Sequence, residues 1–311
     1  MESRTETILR ALIDQTAYQG AAQSRIEKIL KSMIDRTAYS DPAQSRIEAL
    51  LIEWKQIIEG GGGDSYYPML KGLIERSLSG AFSIPEGITK IGDAAFDHCK
   101  RINHVEIPNT VTAMGIGAFY GCANLSSVTI PATIATVTDD TFAYCSSLTG
   151  IRIPNGVVTI GSRAFFYCTG LIELLLPDTL KQIGEDSFNN CVSLASVTIP
   201  DGVITVGTNA FYYCTGMESL SIPASVTNIG SKAFSGLTAL RELTLGNEFN
   251  ANNLTLSASS QLTTESMVGA FGALKDRTGQ VAYRLTLGNT NLNKLTDEQK
   301  AIATNKNWTL A

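Results

Sequence analysis

The chain has 311 residues, 44% of them hydrophobic and 17% charged, with 27 glycines and a net charge of −5. That length buries a sizeable core, and the acidic balance gives no reason to expect nucleic acid or an anionic membrane as partner. No run of eighteen apolar residues exists, which excludes a membrane-spanning helix.

The first ten residues, "MESRTETILR", carry charges at Glu2, Arg4, Glu6 and Arg10, where a signal peptide is apolar. Synthesis in the cytosol is therefore expected. Residues 1–59 then repeat with a period of 21: Ser-x-x-Glu recurs at Ser3, Ser24 and Ser45. Each is a capping box before an apolar-periodic run, so each opens a helix. Gly20 and Pro42, in the loops "QTAYQGAA" and "RTAYSDPA", stop the three from fusing. Ile26, Ile29, Leu30 and Met33 line one face of the second helix, and Ile47, Leu50, Leu51, Trp54, Ile57 and Ile58 one face of the third. Three such helices make too small a core alone, so residues 1–59 are expected to self-associate or dock on a partner. A glycine-rich linker follows at 60–65, with four glycines from Gly60 to Gly63.

Residues 66–83 read as an N-terminal cap, with a short helix from Met69 to Arg76 leading into a first strand. Phe82 and Ile84 sit 23 residues before Val105 and Ile107. That interval governs residues 84–245. An aliphatic-Pro pair recurs at Ile84, Ile107, Ile130, Ile153, Leu176, Ile199 and Ile222, always 23 apart. Phe96, Phe119, Phe142, Phe165, Phe188, Phe211 and Phe234 keep the same interval, and so do all six cysteines, Cys99, Cys122, Cys145, Cys168, Cys191 and Cys214. Leu237 takes the cysteine position in the seventh unit.

Within a unit, "LSSVTI" (Leu125 to Ile130) ends in the polar–apolar alternation of a half-buried strand, and Pro131 stops it. A turn glycine follows in most units, with Thr138 in its place in the third. The "AFxxC" segment is short enough for one helical or 3₁₀ turn. A 23-residue unit cannot bury its apolar face alone, but stacked units can. The expectation is an α/β repeat solenoid with one parallel sheet. The columns over residues 84–245 resemble the BspA-like class of leucine-rich repeats. That resemblance implies a right-handed solenoid whose curved sheet binds ligands, and it carries no catalytic residues.

Residues 246–311 read as a C-terminal cap of irregular rungs. A helix is expected from Thr264 to Lys275, with Met267, Phe271 and Leu274 on one face. A second is expected after the capping box of Thr296 and Gln299. Leu254 and Leu256 suggest an extra strand, and the pairs Leu285/Leu287 and Trp308/Leu310 are 23 apart. The tandem "SRIE" helices, the glycine linker, "LKGLIER" and the ending "LTDEQKAIATNKNWTLA" resemble phage- or prophage-encoded tail or fibre proteins of gut Firmicutes. That resemblance implies a virion attachment segment carrying a host-facing solenoid, hence a virion or cell-surface location.

The cysteines are the first candidates for chemistry. A straight file of thiols does not converge on a tetrahedral metal, and side chains of one column point the same way, which disfavours disulfides between rungs. A nucleophile needs a base, and the two histidines, His98 and His104, both lie in the first unit. The column therefore reads as a ladder of buried thiols. No acid/base pair, phosphate-binding glycine loop or metal cluster appears, so neither enzyme activity nor a cofactor is expected.

Binding candidates fall in two sets. The first is the exposed strand face: His104, Glu106, Ser127, Thr129, Arg152, Glu173, Thr198 and Ser221, with Ile172 and Leu175 giving it an apolar centre and a polar rim. The second is an aromatic edge: Tyr144, Tyr167 and Tyr213 in the position before the cysteine, with Phe166 beside them. The same patterns suit a solvated sheet and rings packed along a solenoid. The function expected is recognition or adhesion, presenting a repeat surface to a protein or glycan and anchored through residues 1–59. A spacer or decoration protein in a larger assembly is the alternative.

Overall fold

The structure, a computed structural model, describes residues 80–84 and 88–311. The helices and linker expected in residues 1–65, and the capping helix from Met69 to Arg76, lie outside the described residues.

The apolar columns become the interior of a parallel-strand β-solenoid. Its wide ladder consists of β1 (Gly80–Ser83), β3 (Ile102–Glu106), β5 (Ser127–Thr129), β7 (Gly150–Arg152), β9 (Glu173–Leu175), β11 (Ser196–Thr198), β13 (Ser219–Ile222) and β15 (Glu242–Leu245). Its strands pair in parallel in three hydrogen-bonded segments, β1-β3-β5, β7-β9 and β11-β13-β15, with partners 23 residues apart, as in His104↔Ser127, Arg152↔Leu175 and Ser221↔Thr244; the register shifts once, between Gly80 and Ala81. Phe82 pairs with Val105, as the 23-residue spacing requires. The middle of each strand, from Val105 and Val128 to Leu220 and Leu243, turns inward and is buried.

A second, narrower ladder was not anticipated from the sequence. It consists of two-residue strands just before the turn glycine: β2 (Lys90–Ile91), β4 (Ala113–Met114), β6 (Thr136–Val137), β8 (Thr159–Ile160), β10 (Gln182–Ile183), β12 (Thr205–Val206) and β14 (Asn228–Ile229). Two residues are too few for a period to declare itself, and only the inward residue of each pair is apolar and buried in every unit. The glycines that follow are needed for close approach. A Cβ on Gly184 would lie 2.5 Å from the Gly161 carbonyl carbon, and one on Gly230 would lie 2.2 Å from the Thr208 nitrogen. At Thr138, which stands in the glycine column, the hydroxyl makes the inter-rung bond. It donates to the Gly115 carbonyl at 2.8 Å and lies 3.2 Å from that of Met114, in the place where Gly161 N–H bonds Val137.

The "AFxxC" segment is neither a helix nor a 3₁₀ turn; it is a run of overlapping turns. Two positions, one just before it and one within it, have positive φ in every rung. One runs Ala94, Gly117, Asp140, Arg163, Asp186, Asn209, Lys232, and the other His98, Gly121, Tyr144, Tyr167, Asn190, Tyr213, Gly236. The alternation divides the backbone N–H groups. Those of Ala94, Phe96 and His98 donate to Ile116, Ala118 and Tyr120 in the next rung, while those of Ala95, Asp97 and Cys99 close turns within their own. The third side of the coil is thus hydrogen-bonded along the axis, like the two strand ladders.

Down the centre the phenylalanine column stacks ring on ring, with centroids 4.9–5.6 Å apart and planes within 14°. Each such pair is worth about 0.5–1.5 kcal/mol beyond the area it buries. Beside it, each thiol from Cys122 to Cys214 donates to the phenylalanine carbonyl 26 residues earlier, at 3.0–3.3 Å.

At the C-terminal end the wide ladder stops against α1 (Thr264–Ala273), whose N-cap Thr263 accepts from Ser266 N–H. Ser266 lies 23 residues beyond Leu243, and its hydroxyl takes the part of a next strand. Leu243 N–H donates to it at 2.6 Å, and it donates to the Leu243 carbonyl at 3.3 Å. Then come β16 (Leu254–Thr255), β17 (Tyr283–Thr286), α2 (Asn289–Leu292), α3 (Asp297–Thr304) and β18 (Trp308–Leu310). The expected capping box is present on α3. The 23-residue register expected for the last two strands is not: Tyr283 pairs with Trp308 and Leu285 with Leu310, and β16 joins through Leu254↔Leu285. The helices inserted between these strands lengthen the return path, so the repeat interval no longer sets the pairing.

Candidate ligand-binding surfaces

All six cysteines are buried and form no disulfide. Burial pushes the thiols of Cys168 and Cys214 up to about 12, and those of Cys145 and Cys191 well above the ordinary range. A thiol that burial keeps protonated at neutral pH is a poor nucleophile. Among the described residues no cluster of His, Cys, Asp or Glu is arranged to hold a metal. None of their helices is long and apolar enough to cross a membrane.

The strand-face candidates sit where the alternation places them. Glu106, Thr129, Arg152, Leu175, Thr198 and Ser221 occupy one column of the wide ladder, and His104, Ser127 and Glu173 another. Most are exposed, while His104 and Ser221 are half-buried. His104 Nδ1 lies 2.7 Å from the Ser127 hydroxyl, which ties these two to each other across the rungs. On the fourth rung Ile172 is 54% and Leu175 39% exposed, although both are large and apolar.

The aromatic edge is brought together only in part. Tyr144 stacks on Tyr167 at 5.4 Å and meets the edge of Phe166 at 5.5 Å. The file extends backward through Tyr120, 5.3 Å from Tyr144, to His98, 5.4 Å from Tyr120. Tyr213 is not part of it. Asn189 and Asn190 fill the two aromatic positions of the fifth rung, and Tyr213 pairs with Tyr212 one rung beyond, at 4.4 Å. The ring file therefore also takes in Tyr120, which shares the column of Phe166, and His98, whose place beside the rings no motif marks. Only the 23-residue alignment of His98, Tyr144 and Tyr167 signals it.

Two shallow grooves flank this file. One, of about 360 Å³, is lined by Asp97, His98, Tyr120, Asp140, Tyr144, Arg163 and their neighbours. The other, of about 420 Å³, shares His98, Tyr120 and Tyr144 and reaches Lys100, Ser146 and Tyr167 on the side of the wide ladder. Arg163 forms a 2.7 Å ion pair with Asp140 one rung earlier, and that bond holds its guanidinium firmly protonated. His98 is likewise hydrogen-bonded to Asp97. Burial, then the neighbouring Tyr144 and Asp140, raise the Tyr120 phenol above its ordinary range.

The BspA type leucine rich repeat region matches this chain in six copies over residues 76–174 and 159–268. The chain belongs to that family. Among solved structures it is similar to a leucine rich repeat protein of T. pallidum, at 29% identity over 51% of this chain and 77% of that one, with a TM-score of 0.48. It is also similar to a leucine rich cell surface protein of Faecalibacterium prausnitzii, at 26% identity over 54% and 60% of the two chains, TM-score 0.39. A leucine-rich repeat protein of Bacteroides ovatus matches at 24% identity over 59% and 62%, also with a TM-score of 0.39. The chain thus spans less than two thirds of the last two proteins. No curated protein matches it. BspA-type repeats generally serve protein interaction or surface adhesion, and the family is generally non-enzymatic.

Proposed function

We propose that this BspA-type protein is a non-enzymatic recognition module that grips a protein partner with the exposed face of its wide ladder. The observation that carries the reading is the pair Ile172 and Leu175, left 54% and 39% exposed in the middle of that face. Glu173 lies beside them on the same strand, Arg152 and Thr198 on the strands before and after it, and Thr129 one rung beyond Arg152. An apolar centre ringed by polar side chains is the anatomy of a protein interface. Replacing Arg152, Glu173 and Leu175 together is expected to abolish capture of the partner from host-cell surfaces. Undiminished binding by the triple variant overturns the strand-face assignment.

Residues 1–59 supply attachment in this reading, through self-association, including attachment to a phage or prophage virion. Mass in solution with and without residues 1–63 tests this. An oligomer that becomes a monomer on truncation supports it, and a monomer in both cases removes it.

A further inference from the structure

We propose that the aromatic edge carries a second site, separate from the strand face, that binds a neutral oligosaccharide in a cleft over the second rung. This rung has glycine at both positive-φ positions, Gly117 and Gly121, while its neighbours project side chains there: His98 before it, and Asp140 and Tyr144 after it. The missing side chains open the two grooves. Tyr120 stands between them and belongs to both, as do His98 and Tyr144. Gly121 is also required by the site itself, because a Cβ there would lie 2.9 Å from the His98 ring.

Three features select the ligand. In the first lobe Asp140 is paired with Arg163 and Asp97 is hydrogen-bonded to His98, so that lobe makes no demand for a charged group, and the second lobe adds one ammonium, Lys100, a donor that sugar hydroxyls can accept from. Backbone pairing is closed to an extended peptide, because the N–H groups of Gly117, Phe119 and Gly121 donate to the next rung and those of Ala118, Tyr120 and Cys122 close turns. What the walls offer is ring surface interleaved with carboxylate, guanidinium, imidazole and phenol groups. A pyranose, with an apolar ring face and a rim of hydroxyls, fits both kinds of surface. The rings are also held against a conformational cost. His98 and Tyr144 have φ of 55° and 61°, a left-handed region that bulky L-residues rarely adopt.

The test is titration of the full chain with chitotetraose, cellotetraose and maltotetraose, read by calorimetry and by saturation transfer from the protein to the sugar protons. Two variants probe the cleft without strain. In Gly117→Asn a side chain fills the first lobe in a backbone conformation that Asn209 already adopts, and in Tyr144→Asn the wall is removed in one that Asn190 already adopts. At least one neutral tetrasaccharide is expected to bind, and each variant to weaken it about tenfold or more with the unfolding temperature unchanged. Leu175→Ser on the strand face is expected to leave sugar binding intact. Absence of binding by all three sugars at millimolar concentration overturns the proposal, as does binding indifferent to both variants. Stronger binding of sialylated or sulfated sugars overturns the assignment of a neutral ligand. Because the strand-face reading is tested with different residues and a protein partner, either proposal can fail alone.

Discussion

A glycine and a cysteine show how one residue type carries different work in this chain. Gly184 exists so that two backbones can touch: a Cβ there would sit 2.5 Å from the Gly161 carbonyl carbon. Gly184→Ala is expected to destabilise by about 1–3 kcal/mol. Gly269→Ala, on an exposed helical position with nothing within 4 Å of the added carbon, is expected to stabilise by about 0.5–1 kcal/mol. Chemical denaturation of the two variants checks the opposite signs. The cysteines carry a pH prediction. Their folded-state values lie above the value of an unfolded thiol, as at Cys168 and Cys214, raised from 9.0 to about 12. The folded state therefore holds its thiol protons more tightly. The stability this represents is complete below pH 9 and is lost as pH rises from about 9 toward 12. Unfolding midpoints measured across that range should fall, and replacing Cys168 and Cys214 by Ala should flatten the fall. A midpoint independent of pH between 9 and 12 contradicts the burial of these thiols.

Among the elements, those with a private sequence signature were legible and those defined by contact were not. The wide ladder announced itself through alternation and a terminal proline at a fixed interval. The α3 cap announced itself through Thr296 and Gln299. The narrow ladder left no such mark, since two residues hold no period. The turn segment hid its nature because positive φ at Arg163 or Tyr167 is imposed by stacking, where local preference points elsewhere. The strand-face residues could be named one by one. The cleft could not, because it is made by absence: Gly117 and Gly121 matter only once His98 and Tyr144 are known to stand on either side. The C-terminal pairing failed because the interval that sets register in the repeat stops applying once α1 to α3 are inserted. Ser266 is the most testable of these junctions. Ser266→Ala strips the hydroxyl that both accepts from Leu243 N–H and donates to the Leu243 carbonyl. It is expected to cost about 1–3 kcal/mol and, by baring a strand edge, to cause concentration-dependent association. Thermal unfolding and light scattering over a dilution series read the two effects separately.

At the scale of the whole molecule, the interval of 23 is a structural quantum of the repeat region, because its ladder pairing, phenylalanine stack and thiol contacts all recur at that spacing. Deleting residues 178–200, one whole period, should leave a shorter solenoid with a cooperative transition and unchanged near-ultraviolet dichroism. Deleting twenty residues from the same place should give an aggregating chain. The alignment of backbone bonds on all three sides with the solenoid axis also makes the protein mechanically directional. Tension applied along the axis loads the bonds of one interface at a time. The molecule should then yield as a series of separate ruptures, each paying out one period of chain, at most about 80 Å for 23 residues drawn fully extended. A tether built this way dissipates a pull in small instalments, so a cargo held at one end need not be lost when the first coil opens.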